Sequence, residues 1–414
     1  MKKKSSLHRF LTNIYLHAFF NRLMMLSPLY AIFMQEHGMT DMQLSFLFIL
    51  LSVGTFCMQI PTTWLMNLIG QKNTVIVGQL AKAAAFALWL MVPNFLGFAV
   101  GMFIWGIQYA AHNVAYESII YEGLRARRNH GIYARVLGTR YNFSAVGAAL
   151  SSCGSLLLLL GLDYAAITYI SIAVLGLSIF FIARVKLPAH SARHRTKRKA
   201  RFMTVFKTGT RICMRTPCIF LMMVLTLVVS NICYLDDYIS PIGIEIGLPL
   251  AYVGIAQFFI MGCTILGQTF AYRFKSIPDW ILYTTICVAG LSYVMFSIFY
   301  SVSGLWLLGL GYVLFAGIYV LLYSRFQDFL PTSYRSVILS LYSIGDNMIY
   351  VITCLLVGLG GSMGSWRISV LLLGAILVAT GLWALLVIRD KCALAHNPSL
   401  RPVKTLRPAS DDMF

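Results

Sequence analysis

Acidic residues are scarce in this chain. Of 414 residues only 14 are Asp or Glu, against 33 Lys and Arg. Charged residues of either sign make up 11% of the chain. A soluble globular domain carries about 25%, so an ordinary water-facing surface is excluded. The nine Cys form no CxxC pair and no His/Cys ligand spacing. That argues against a disulfide framework and a zinc site, and no metal is expected. No Gly-x-x-x-x-Gly-Lys motif is present, which argues against direct nucleotide hydrolysis. No clustered catalytic set is found either, so neither an enzyme nor a cofactor is expected.

What the chain has is apolar length. It is 59% hydrophobic with a mean hydropathy of +0.76. Runs long enough to cross a bilayer, about 20 residues each, recur at about 10–34, 42–66, 74–93, 97–123, 136–160, 163–185, 218–240, 250–273, 280–300, 304–327, 335–360 and 366–389. An all-α membrane protein of twelve transmembrane helices follows. Gly, Ser and Ala are frequent within the runs, as close helix packing in lipid requires. The charged start, Met1-Lys-Lys-Lys, lacks a small-residue cleavage site after it and reads as leading into an uncleaved first helix.

The net charge of +19 is distributed with one bias. All Lys and Arg except Arg22, Lys82, Arg140 and Arg367 fall in segments that twelve crossings place on one side. Basic residues beside apolar spans mark the cytoplasmic side. Both termini are therefore expected in the cytoplasm, with the chain in the inner (plasma) membrane. The same clustering argues against a nucleic-acid partner, which calls for a basic face on a soluble fold. The bilayer and its anionic headgroups are the partner expected for this charge. The hydrophilic insert 186–217 divides the chain into 1–185 and 218–390, each with six spans, followed by a tail at 391–414. The run from His190 to Lys199 reads as a topology-setting, solvated loop.

Six spans, a basic loop and six more resemble the major facilitator superfamily. Short motifs carry the likeness. The segment Gln59-Ile-Pro-Thr-Thr-Trp-Leu-Met-Asn67-Leu-Ile-Gly70-Gln-Lys72 resembles the family's G-x-x-x-D-R-x-G-R-K signature after span 2. It keeps Gly70 and Lys72 but has Thr63, Asn67, Leu68 and Gln71 where the family has Gly, Asp, Arg and Arg. Asn67 can cap a helix but cannot form an ion pair, so the resemblance implies a weaker gate contact. Gly267-Gln-Thr-Phe-Ala-Tyr-Arg273 echoes the same motif in the second half, as repeat architectures do. Tyr116-Glu117…Tyr121-Glu122, Gln35-Glu36-His37-Gly38 and Pro331…Arg335 are also similar to family patterns. The Gly-Pro pair of span 5 that marks many drug antiporters is absent. The resemblance implies two pseudo-symmetric six-helix halves, with spans 1, 4, 7 and 10 lining a central cavity.

Helical spacing puts polar stripes on those four spans. Span 1 carries Asn13, His17 and Asn21, with Arg22 beside them. Span 4 carries Gln108, Tyr109, His112, Asn113, Tyr116 and Glu117. Span 7 carries Ser230, Tyr234 and Asp237, with Asn231 and Asp236 adjacent. Span 10 carries Tyr312, Tyr319 and Tyr323. The expected substrate ligands are Asn13, His17, Asn21, Arg22, His112, Asn113, Tyr116, Tyr234, Tyr319 and Tyr323. An ionisable residue within a span is a functional candidate by default. Glu117, Asp237 and Asp346 are therefore the expected proton carriers, with Glu117 also a partner for Arg22. Asn67, Gly70, Lys72, Glu122, Arg140, Arg273 and Arg335 lie toward the cytoplasmic ends and are expected in gating. These residues imply a monomeric secondary transporter that moves a small polar or amphiphilic organic molecule by alternating access, coupled to protons, with export the favoured direction. A proton-coupled importer of a metabolite or siderophore-like chelate, and a non-transporting receptor on the same fold, are the alternatives.

Overall fold

The computed structural model describes residues 2–129, 132–187, 210–232, 235–274, 276–330 and 335–388. Tyr234, the linker run 190–199 and the tail lie outside this set, as does the side chain of Arg335. No strand occurs among the described residues. Among the described residues, eleven helical segments are long and apolar enough to cross a membrane.

The remaining crossing is the first, and it is broken. Helix α1 (Lys2–Arg22) stops, and α2 (Tyr30–Glu36) resumes after seven residues without helix. The expected run of 10–34 as one helix is thus corrected. Pro28 has no N–H to donate and clashes with the preceding turn. The break frees the Leu26 amide, which donates to Ser171 Oγ at 3.0 Å, so no buried donor is orphaned there.

Helix α3 (Asp41–Ile69) starts from a capping box made by Thr40 and Gln43, which satisfies two backbone donors at once. Gly70, at φ 83°, ends it and allows α4 (Gln71–Met91) to begin at once. Span 4 is α5 (Phe95–Ala111), a π-helical turn at His112–Tyr116 and α6 (Glu117–Ala126). Then follow α7 (Tyr133–Ser152), extended by a 3-10 segment at Cys153–Leu160, and α8 (Tyr164–Ala183).

Span 7 is broken as well. Helix α9 (Pro217–Ile232) ends before a 3-10 turn at Asp236–Tyr238, and α10 (Ile239–Glu245) completes the crossing. The continuous stripe expected through Ser230 and Asp237 is therefore interrupted. The Tyr312 hydroxyl accepts from the Leu235 amide at 2.9 Å, a partner that local sequence does not reveal. The second half closes with α11 (Val253–Ala271), α12 (Asp279–Ile298), α13 (Leu305–Asp328), α14 (Arg335–Ser362) and α15 (Trp366–Trp383).

Twelve crossings bring the described residues Lys2 and Ile388 to one face, the basic face that also holds Lys72 and Arg127. Short connections capped by Thr40, Asn94, Asp163 and Ser365 lie on the far face. Within the first half α3 and α5 approach closely. A Cβ on Gly54 would lie 2.6 Å from the Phe103 carbonyl oxygen, so only glycine permits the crossing. Ile60, Trp64, Leu96, Trp306 and Leu386 are exposed and form part of the lipid-facing surface. Trp89 is fully buried against Phe86, Trp105 and Tyr30. Its replacement by Ala should cost about 3–5 kcal/mol, read as a lower midpoint for unfolding in mixed detergent; an unchanged midpoint would mean the aromatic cluster is not core.

The halves join toward the far face. Tyr30 donates to Asp237 at 2.5 Å, Tyr238 to Ser45 at 2.9 Å, and Ser52 to Asn347 at 3.1 Å. Ser155 Oγ donates to the Ala251 carbonyl at 2.8 Å and accepts from the Gly254 amide at 3.0 Å. A separate apolar cluster, including Phe10, Ile14, Tyr116, Ile119 and Leu124, is built entirely from the first half toward the basic face. The halves are thus joined by hydrogen bonds toward the far face, while this cluster at the basic face belongs to one half alone.

Candidate functional site

A cavity of 330 Å³ lies against the second half at mid-depth, lined by Ser230, Asn231, Asp236, Thr264, Gln268, Tyr312, Phe315, Tyr319, Asp346, Asn347 and Tyr350. Its size falls at the lower end of small-molecule sites, which run from about 300 Å³. Asp346 is its centre. Its Oδ1 accepts from Asn231 Nδ2 at 2.8 Å and from Ser230 Oγ at 3.2 Å. Two helices, α9 and α14, thereby fix one carboxylate. An intramembrane carboxylate is costly unless it is hydrogen-bonded or used; this one is half-buried beside a polar cavity.

Asp237 lies on the far side of that cavity. It accepts from Tyr30 at 2.5 Å and from Tyr350 at 2.9 Å. One carboxylate thus ties the first half to the second. Asp237→Ala removes the acceptor that the two hydroxyls share. It should raise labelling of cavity residues from the far face about tenfold, a shift of roughly 1.4 kcal/mol between states. Unchanged labelling would show that the contact does not hold the far gate.

The first half holds cations of its own. Arg22 is exposed at the break in span 1, with Tyr109 beside it. Lys82 is buried; its Nζ donates to the Asn21 carbonyl at 3.1 Å and lies 5.4 Å from the Trp105 ring centroid. Asn21 Oδ1 accepts from Gln79 Nε2 at 2.9 Å and from Gln108 Nε2 at 3.4 Å. Asn21 therefore knots the end of α1 to α4 and α5.

Deeper toward the basic face, His17 is fully buried and its Nδ1 lies 3.0 Å from the Ser178 carbonyl and 2.9 Å from Ser178 Oγ. His112 stacks on it with centroids 5.9 Å apart. Tyr116 is buried and donates to the Ile14 carbonyl at 2.7 Å. Arg140, buried, lies over the Tyr116 ring at 5.4 Å. Asn13 is buried on α1, and Asn113 is exposed within the π turn. His17, Tyr116 and Arg140 are thus gathered in one packed group, while Tyr319 lines the cavity and Tyr323 stacks on it at 5.9 Å toward the basic face.

Glu117 does not meet Arg22. It is exposed at the start of α6, eight residues along the span from Tyr109, or about 12 Å of helical rise. At the basic face Lys72 Nζ donates to the Ala183 carbonyl at 3.2 Å, placing a cation at the C-terminus of α8. Gln71 Nε2 donates to Ser118 Oγ at 2.9 Å. Asn67 is exposed beside Gly70, Glu122 is half-buried on α6, and the Arg273 guanidinium lies 4.9 Å from the Phe270 ring. Arg325 pairs with Asp279 and donates to the Ile277 carbonyl at 2.5 Å, within the second half.

Sequence reasoning did not select Lys82, Gln79, Gln268, Thr264 or Tyr30. Lys82 carried a usable signal, being one of three basic residues inside spans. Gln268 sat in the second-half echo of the gate motif. Tyr30 had no signal, because its role depends on the break that precedes it.

The profile of the Major Facilitator Superfamily matches residues 14–338. Solved structures share the whole architecture. The POT family transporter PepTSo superposes with a TM-score of 0.70 at 11% identity, over 94% of this chain and 98% of its own. The D-xylose–proton symporter gives 0.69 at 10%, over 93% and 98%. The nucleoside transporter NupG gives 0.66 at 12%, over 92% and 98%. At these identities the likeness is one of fold. No curated sequence matches the chain. With its fold and most of its length accounted for in this way, the chain belongs to the major facilitator superfamily and is a multi-pass membrane transporter rather than an enzyme.

Proposed function

We propose that this protein is a proton-coupled secondary transporter of a small polar organic molecule, working by alternating access with Asp346 as the proton carrier. The observation that carries the reading is the mid-depth cavity that holds the hydrogen-bonded carboxylate of Asp346, with bonds between the halves toward the far face. The basic face is read as cytoplasmic in the inner membrane, from the bias of Lys and Arg. The state described is then open inward. The two halves would rock about the cavity, breaking the Tyr30–Asp237 and Ser155–Ala251 contacts as the far gate opens.

A carboxylate that binds either a proton or the substrate gives exchange, and so export against an inward proton gradient. One that binds both together gives import. The proposal is export: Asp346, whose Oδ1 already accepts from Ser230 and Asn231, leaves its other oxygen for one cation at a time. The family resemblances that include proton symporters support proton coupling without fixing direction.

The test is proton movement by purified protein in liposomes when metabolite mixtures are added, with and without an imposed pH gradient. Substrate-dependent proton flux, with accumulation that collapses on adding an uncoupler, is expected. Transport indifferent to the gradient would refute proton coupling; ligand binding with no transport under any gradient would favour the receptor reading.

A further inference from the structure

Arg140 on α7 is only 7% exposed. Its guanidinium lies 5.4 Å from the centroid of the Tyr116 ring and 4.1 Å from that of Tyr141. Its Nε has no hydrogen-bond partner, and among the described residues no carboxylate pairs with it. A charge inside a membrane protein is normally paired with an opposite charge or a backbone carbonyl. Lys82 follows that rule through the Asn21 carbonyl; Arg140 does not.

Two further buried nitrogens lack partners, His17 Nε2 and His112 Nδ1. The Tyr116 ring gathers all three groups. Its centroid is 4.8 Å from that of His17 and 4.4 Å from that of His112, and Arg140 lies against it. His112 and Tyr116 bound the π turn of span 4, a local distortion that is frequent at functional sites. Asn113 in the same turn is exposed, so the group lies one residue from the surface. Nearly all buried polar groups have a hydrogen-bond partner. Three without one around a single ring mark a place that a polar ligand completes.

The donors and acceptors say which ligand. Arg140 offers N–H donors and a permanent positive charge. His17 Nδ1 lies 3.0 Å from the Ser178 carbonyl, which can only accept. The proton of the neutral ring is therefore on Nδ1, and Nε2 is a bare acceptor. A plain anion would meet that nitrogen lone pair to lone pair. It fits once a proton comes with it, either on the ligand or on Nε2. The charged and titratable groups around His17 are Lys82 from α4, His112 and Tyr116 from span 4, and Arg140 from α7; α8 contributes the neutral Ser178. No carboxylate is among them.

We infer that the first half contains a site for a small oxyanion, a carboxylate or a tetrahedral group such as phosphate, bound beside Arg140 and the His17–His112 pair together with one proton. The site lies within one half and depends neither on the Asp346 cavity nor on the transport reading. The anion offsets the charge of Arg140 and of the added proton, so anion and proton bind cooperatively.

The experiment measures thermal midpoints of the purified full chain with sodium acetate, sodium sulfate and sodium chloride. Acetate and sulfate should each raise the midpoint saturably, and chloride should not; a general kosmotropic effect of salt does not saturate. A response to acetate alone or to sulfate alone supports the site and says whether its group is planar or tetrahedral. Apparent affinity should rise as pH falls from about 8 to about 6, by up to about tenfold per unit for one linked proton. Both oxyanions stay ionised over that range, so the slope belongs to the protein. Arg140→Met should weaken binding about tenfold or more, the loss of a charge-assisted bond. In anion-poor buffer its midpoint should match or exceed that of the wild type, because a buried charge without a partner is removed. A guanidinium held only by its tyrosine rings would give the reverse, a lower midpoint with no oxyanion response to lose. His17→Gln, whose amide both donates and accepts, should bind with a flat pH profile. If Arg140→Met fails to fold, that profile decides. No saturable response to either oxyanion, an equal response to chloride, or binding indifferent to pH in the wild type would overturn the inference.

Discussion

Asp346→Asn should abolish uphill transport while sparing exchange. Asn is isosteric with Asp, and its Oδ1 can accept the bonds that Ser230 and Asn231 now donate, so the packing of α9 against α14 is retained. What is lost is the charge that a proton neutralises. A coupled transporter moves substrate uphill only if proton and substrate occupancy bias the same conformational step. Without the titrating group that link is cut. Gradient-driven accumulation should fall about 100-fold, the equivalent of roughly 2.7 kcal/mol of coupling. Substrate–substrate exchange should persist at saturating concentration, because exchange needs no net proton. Full accumulation in this variant would move the proton elsewhere, with Asp237 next to be examined.

Gly254→Leu should lock the protein open to the far face. A Cβ at Gly254 would lie 1.8 Å from the Ser152 carbonyl oxygen and 2.5 Å from Ser155 Oγ. The obstacle is backbone of the opposite half, which cannot rotate away as a side chain can. The amide of Gly254 also donates to Ser155 Oγ at 3.0 Å, so the same step removes a bond. Overpacking of this kind costs about 1–3 kcal/mol, and here the strain is relieved by parting α11 from α7. A Cys at Asn347, in a background without the exposed Cys57 and Cys153, should then react about tenfold faster with an impermeant maleimide from the far face. Net transport should stop, since the cycle cannot return. Normal transport in Gly254→Leu would show that this contact need not close.

Much of the architecture was legible because lipid imposes it. A span needs a long apolar run, and twelve runs were there to count. The breaks in spans 1 and 7 were not legible, for different reasons. Pro28 marks the first, but a proline in an apolar run is also compatible with a kinked continuous helix. The second depends on the Tyr312 hydroxyl reaching the Leu235 amide from another span. That tertiary bond moves Asp236 and Asp237 off the expected helical register. Asp346 was readable as an intramembrane carboxylate beside Asn347 and Tyr350, and the structure gives it Ser230 and Asn231 as partners. That Glu117 stays apart from Arg22 was not readable, because sequence gives position along each span but not the height at which two spans meet. Gate residues were the least accessible. Lys72 is seen against the end of α8, and nothing in its motif names Ala183 as the acceptor.

The central claim is that the two halves alternate access about the cavity. Distances between paired spin labels test it most directly, in lipid nanodiscs and without knowledge of the substrate. One pair, at Leu160 and Met363, spans the halves at the far face; another, at Leu68 and Phe274, spans them at the basic face. All four positions are exposed. Lowering the pH, or introducing Gly254→Leu, should lengthen the first distance while shortening the second. Distances that stay single and fixed at both faces under every condition would contradict alternating access and leave a static membrane protein on a transporter fold.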